Sequence, residues 1–209
     1  MIRTDFLLIA LVITIASCSA PQSTTPLPIY GNKIFEENDT IYHTVEDFEL
    51  VDQDSSSVTN ATFANQVYVS DFFFTSCPTI CPKMKQQMLR VYEKFEANDQ
   101  VAILSHTIDP KHDTVAVLKD FADKLGIKSS KWKFVTGDQD YIYDLGEKSY
   151  MVMADEEPDA AGGFIHSGAF LLVDKERRIR GVYDGTVDEQ VDILLTDIDR
   201  LLKEYEEPN

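Results

Sequence analysis

Apolar positions follow two rhythms along the chain. Residues 66–75 (QVYVSDFFFT) and 101–108 (VAILSHTI) are dense in β-branched and aromatic residues, which predicts strands. Residues 45–51 (VEDFELV) alternate as a half-buried strand does, and 131–136 (KWKFVT) predict a shorter one. Between these the rhythm changes to every third or fourth residue. Met84, Met88, Val91 and Phe95 mark one helical face. Leu118, Phe121, Ala122 and Leu125 mark a second, with Asp113 or Thr114 as its cap and Gly126 as its stop. A third helix is expected over 138–148. Residues 169–173 and 179–183 suit a hairpin about Asp174–Arg177, and Val191, Leu194, Leu195, Ile198, Leu201 and Leu202 draw the stripe of a closing helix. This alternation implies an α/β fold, a central mixed sheet flanked by helices on both faces.

The first residues follow neither rhythm. Arg3 precedes an almost wholly apolar run from Phe6 to Ala16, too short to span a bilayer but suited to an export signal. It ends in Ile15-Ala16-Ser17-Cys18, which resembles a bacterial lipobox, where the signal is cut before the cysteine and the cysteine is lipidated. A plain cleaved signal with Cys18 incidental is the alternative. Residues 19–28 (SAPQSTTPLP) read as a flexible tether. The expected organisation is a signal over 1–17, lipidated Cys18 and tether over 18–40, and one domain over 41–205. That domain would sit outside the cytoplasm, in the cell envelope of a bacterium. Which membrane holds the lipid is open, because Ser19 is not the Asp that signals inner-membrane retention in some bacteria.

Composition narrows the function. Among 209 residues, 36 Asp and Glu outnumber 19 Lys and Arg, for a net charge of -17. Nucleic-acid binding relies on cations displacing counterions from phosphate, so it is not expected here. The same balance argues against a polybasic membrane-surface binder.

Setting Cys18 aside leaves two cysteines, Cys77 and Cys81, in Ser76-Cys77-Pro78-Thr79-Ile80-Cys81-Pro82. They stand between a strong strand and a helix. Pro82 suits the first turn of that helix, which places Cys81 near its N-cap. A helix N-terminus is expected to stabilise a thiolate, the form that attacks disulfides and binds metal. The pair can close into a disulfide or hold two sulfurs around a metal. Two sulfurs do not complete a metal site, and the candidates for a third ligand are His43, His106, His112 and His166. His43, His106 and His112 read as structural or surface residues. His166 follows a long polar loop able to carry it to the cysteines. Two thiolates and an imidazole make a soft set suited to copper, with zinc a weaker rival.

Four motifs then occur in order. Residues 72–82 (FFFTSCPTICP) resemble the signature of the Sco/SenC family, thioredoxin-like copper chaperones of cytochrome c oxidase assembly. Residues 105–114 (SHTIDPKHDT), Trp132 to Gly137, and His166-Ser167 with Phe170 to Asp174 resemble its further motifs. The resemblance spans about residues 45–202. It implies a thioredoxin-like fold, Cys77, Cys81 and His166 as ligands of Cu(I) or Cu(II), and Cys77/Cys81 as a redox pair. It also implies a copper-receiving oxidase subunit, and other copper or thiol-redox proteins, as partners. The role would be delivery of copper to the oxidase copper centre, or reduction of that centre's cysteines. Three departures stand out. Thr79 replaces an Asp common in the family, His112 replaces a common Arg, and a lipobox replaces the transmembrane helix of many relatives.

Other features have plainer readings. Phe72 to Phe74, Met84 and Met88 are expected in the core. Asp109 is expected either to order its loop or to stand behind the site. The rival function is an extracytoplasmic thiol–disulfide oxidoreductase, which needs both cysteines but not His166. A peroxidase is disfavoured because no Arg follows the cysteines before Arg90.

Overall fold

The computed structural model describes residues 25–37, 39–156 and 164–206, apart from the side chains of Ala154, Glu156, Ile165 and His166. Cys18 and the expected signal segment lie outside the described residues, as does 157–163.

The described strands are β1 (Lys33–Phe35), β2 (Thr40–Tyr42), β3 (Glu49–Asp52), β4 (Ser57–Thr59), β5 (Val67–Phe73), β6 (Val101–Thr107), β7 (Trp132–Thr136), β8 (Ala154–Glu156), β9 (Phe164–His166), β10 (Ala169–Val173) and β11 (Ile179–Asp184). The helices are α1 (Cys81–Phe95), α2 (Val115–Leu125), α3 (Gln139–Asp144) and α4 (Asp188–Glu204). A wider π turn, Leu145–Ser149, continues α3. Among the described residues, seven strands form one sheet in the order β11-β10-β5-β6-β7-β3-β4. Its centre, β5-β6-β7, is parallel, and the outer strands join antiparallel.

Every residue of β5 and β6 is buried. Such strands read as continuous apolar runs because both of their faces are covered. On one face Phe73 meets Phe121 of α2 and Phe134 of β7. There α1 buries Met84, Met88, Val91 and Phe95, as their spacing predicts. On the same side α4 lies beside α1, buries Val191, Leu194, Ile198, Leu201 and Leu202, and is joined to α1 by Arg90–Asp192 and Lys94–Asp199 pairs. On the opposite face Phe72 packs against Tyr150, just past the π turn, and its ring lies where a side chain at Gly146 would project. The central mixed sheet thus carries helices on both faces.

The packed chain begins earlier than residue 41. Leu27 is buried, and its N–H bonds the Glu204 carboxylate at 2.6 Å. Arg180 donates to the carbonyls of Leu27 (2.7 Å) and Pro28 (3.0 Å). A stretch read as tether from its prolines is therefore pinned from Leu27 onward by a buried guanidinium. The first sheet strand is also shorter than 45–51. Val45 instead bonds Arg177 as an extended arm, N–H to carbonyl at 2.9 Å.

Candidate metal centre

The chain leaves the C-terminal end of β5 at Phe74, turns through residues 75–80, and enters α1 at Cys81. The turn is set by the Cys77 N–H bonding the Phe74 carbonyl at 3.3 Å. Pro82 falls in the first turn of the helix, where a missing N–H costs nothing. Ile80 occupies the N-cap and offers no side-chain cap, so Cys81 is the first helical residue.

Asp113 holds this loop in place. Its carboxylate is fully buried and accepts from the Thr75 N–H (3.0 Å), the Thr75 hydroxyl and the Thr107 hydroxyl (2.6 Å). One carboxylate thereby ties the cysteine loop to the end of β6. Asp113 is not the helix cap; Thr114 accepts from Val117 and fills that role. Asp109 orders its own turn, its carbonyl accepting from the N–H groups of His112 (3.1 Å) and Asp113 (2.8 Å).

Cys77 and Cys81 are both thiols, each 8% exposed. They line one pocket with Asp71, Phe73, Phe74, Met84 and Phe121. The Thr79 hydroxyl lies 3.5 Å from the Cys77 sulfur. Deeper in, the Trp132 indole N–H donates to the Ser105 hydroxyl at 2.8 Å, and Ser105 donates to the Asp71 carboxylate. Asp71 itself is 5% exposed.

Burial pushes the Cys81 thiol well above the usual cysteine range, and Cys77 and the charge of Asp71 add to that, while a backbone hydrogen bond from Phe74 opposes it. This reverses the expectation drawn from the helix N-terminus. A helix end is worth roughly 0.3–1 kcal/mol, less than one pKa unit. The loss of hydration on burial outweighs it. Burial therefore favours the thiol form of Cys81 over the thiolate.

His166 ends β9, opposite Ala154 in the register of β8 and β9; its side chain lies outside the description. The backbone around it is close to the cysteine loop. The Phe164 ring packs on Phe74 at 5.1 Å between centroids. Ile80, between the two cysteines, borders the same groove as Ser167 and Gly168. Among the described side chains no group of three His, Cys, Asp or Glu could hold a metal.

The remaining histidines stand apart from the pocket. The His43 ring bonds the Ser149 carbonyl at 2.8 Å. His106 stacks on Phe72 at 4.7 Å, fully buried on the other face of the sheet. His112 is exposed. Met84 and Met88 are core residues. Asp71 escaped the sequence reading, although an acid inside an otherwise apolar strand was the available signal.

Two soft sulfur donors, buried beside Phe73, Phe74, Met84 and Phe121, fit a soft cation of low coordination number, which describes monovalent copper better than a hard divalent ion.

The SCO1 protein homolog of Bacillus subtilis is 31% identical over 162 residues, 77% of this chain and 83% of that protein. A SCO1/SenC family lipoprotein of Bacillus anthracis superposes with a TM-score of 0.70 at 26% identity, over 77% of this chain and 95% of that one. BsSco, described as a member of the Sco family of cytochrome c oxidase assembly proteins with a disulfide switch, superposes at 0.67 with 31% identity, over 76% and 93%. These neighbours share the thioredoxin-like fold with this chain. The family model described as SCO1/SenC matches residues 36–203, most of the chain and all of its thiol pocket, and the chain belongs to that family.

Proposed function

We propose that this protein binds copper through Cys77, Cys81 and His166 and delivers it to the copper centre of cytochrome c oxidase during assembly. The observation that carries this reading is the pair of buried thiols at the start of α1, beside the strand end that carries His166. Copper is the cargo, and the two sulfurs and one imidazole hold it. Cu(I) takes that set alone, and Cu(II) takes it with a possible fourth ligand. Binding displaces the Cys81 proton, so the pocket exchanges a proton for a metal. Asp113 and the Trp132–Ser105–Asp71 chain keep the thiols in place while cargo changes.

The protein is anchored through a lipid on Cys18, with residues 1–17 removed and the domain outside the cytoplasm. The lipoprotein name of the Bacillus anthracis relative supports this. No helix among the described residues is long and apolar enough to cross a membrane.

A second reading is reduction of the acceptor's cysteines by the Cys77–Cys81 dithiol. The disulfide switch described for BsSco favours it. The two roles are compatible, because an acceptor must be reduced before it can take copper.

Anaerobic titration of the reduced protein with Cu(I) against a chelator tests the reading. Tight one-to-one binding, lost in Cys77→Ser and weakened in His166→Ala, is expected. Cu(I) affinity unchanged by His166→Ala would remove the histidine from the site. Absence of tight binding, with a readily cycled disulfide, would leave an oxidoreductase.

A further inference from the structure

The outer edge of β11, the last strand of the sheet, is covered along only part of its length. At its start the Tyr30 N–H bonds the Ile179 carbonyl at 2.8 Å, and Arg180 holds the arm through the carbonyls of Leu27 and Pro28. Past its other end the Gly185 N–H bonds the Gly168 carbonyl at 2.8 Å. Tyr183 stands opposite Phe170, and Val182 opposite Leu171. Alternation along an antiparallel pair then turns the N–H groups of Val182 and Asp184 away from β10. Neither has a backbone partner among the described residues. Val182 is 46% exposed. An open edge of this kind is a template for an added strand.

The open stretch adjoins the copper site. Val182 and Asp184 line one groove with Ile80, Ser167 and Gly168. A Cβ added at Gly168 would stand 3.9 Å from the Ile80 side chain, so the two walls meet there. Ile80 lies between Cys77 and Cys81, and Ser167 follows His166. The groove is thus bounded by both segments that carry the proposed ligands. Asp184 is exposed on it. Its carboxylate accepts from the Thr186 N–H (2.8 Å) and hydroxyl (2.6 Å), and it pairs with no cation among the described residues. Copper passes from one thiolate to another only where both sulfurs come within bonding distance of the ion. A chain that receives it must therefore lie against this rim.

We infer that the copper acceptor docks on the open end of β11, adding an extended, basic, cysteine-bearing segment as a strand beside Val182 and Asp184. The inference rests on the copper reading above and gives the mode of contact with the acceptor. In such an addition backbone hydrogen bonds supply affinity, and the adjoining groove selects side chains. Transfer is a ligand exchange at constant oxidation state. Copper–sulfur bonds to Cys77 and Cys81 break as two form to the acceptor, whose thiol protons pass to the released sulfurs.

The test uses the reduced, Cu(I)-loaded protein. The probe is the reduced, copper-free, soluble copper-centre domain of a bacterial cytochrome c oxidase. Hydrogen exchange of the Val182 and Asp184 amides, followed by NMR, is expected to slow when the domain is added. Val182→Pro removes one outward N–H, which an edge strand tolerates. Val182→Lys keeps the backbone intact and sets a cation against the basic segment. Each variant is expected to keep the wild-type Cu(I) affinity and to pass copper to the domain about tenfold more slowly. If Val182→Pro does not fold, Val182→Lys carries the comparison. Unslowed amides overturn the docking edge. Slowed amides with wild-type transfer in a folded variant overturn its part in transfer. Loaded wild type that passes no copper to the domain overturns delivery, and with it the docking role. If the wild type takes up no Cu(I), the copper reading itself fails, and that appears before the domain is added.

Discussion

Asp113 fastens the cysteine loop to the end of β6. Its carboxylate takes three donors from Thr75 and Thr107, out of contact with water. Replacing it with Asn leaves an amide group facing donors and breaks at least one charge-assisted bond. The expected cost of Asp113→Asn is about 2–3 kcal/mol, read from the urea midpoint. His106 raises a different residue-scale expectation. Burial lowers its pKa from 6.5 to about 4, and its Nε2 has no hydrogen-bond partner among the described residues. The unfolded chain takes a proton near pH 6.5, while the folded chain resists until about 4. Stability is therefore lost as the pH falls through that window, by about 3 kcal/mol in full. His106→Phe should flatten the pH dependence of thermal unfolding between pH 6.5 and 4.5. An unchanged slope would assign the acid sensitivity to the carboxylates instead.

At the scale of elements, legibility followed burial. Central strands and the stripes of α1 and α4 were readable because one or both faces are dry, and burial imposes a period on the sequence. The β1–β2 hairpin left no such mark: Lys33, Ile34 and Phe35 are all exposed, so nothing selects an alternating pattern. The β8–β9 pair was not anticipated for a related reason, being short and standing outside the main sheet. Motif spacing located Cys77 and Cys81 at the mouth of α1, and the structure places both in one pocket. It did not reveal that both thiols are buried, because burial of a thiol depends on Phe73, Phe74, Met84 and Phe121 arriving from three different elements. The sign of the Cys81 shift was missed for that reason. The backbone near His166 approaches the cysteine loop through Phe164 and Gly168.

Across the whole molecule, the N-terminal arm belongs to the fold. Arg180 links Leu27 and Pro28 to Glu204 of α4 (2.6 Å) and to Asp174 after β10 (3.1 Å). A chain beginning at Gly31 would expose the Leu27 site and leave buried guanidinium donors without their carbonyl partners. It should be less stable than one beginning at Thr25 by about 3 kcal/mol, measured by urea unfolding. Equal midpoints would mean that the arm rests on the body without supporting it. The measurement that bears most directly on the copper site is X-ray absorption of the Cu(I)-loaded protein, recorded beside His166→Ala. Two sulfur donors and one nitrogen donor are predicted in the wild type, with the nitrogen absent from the variant. A spectrum of sulfur donors alone, identical in both proteins, would contradict the three-ligand site.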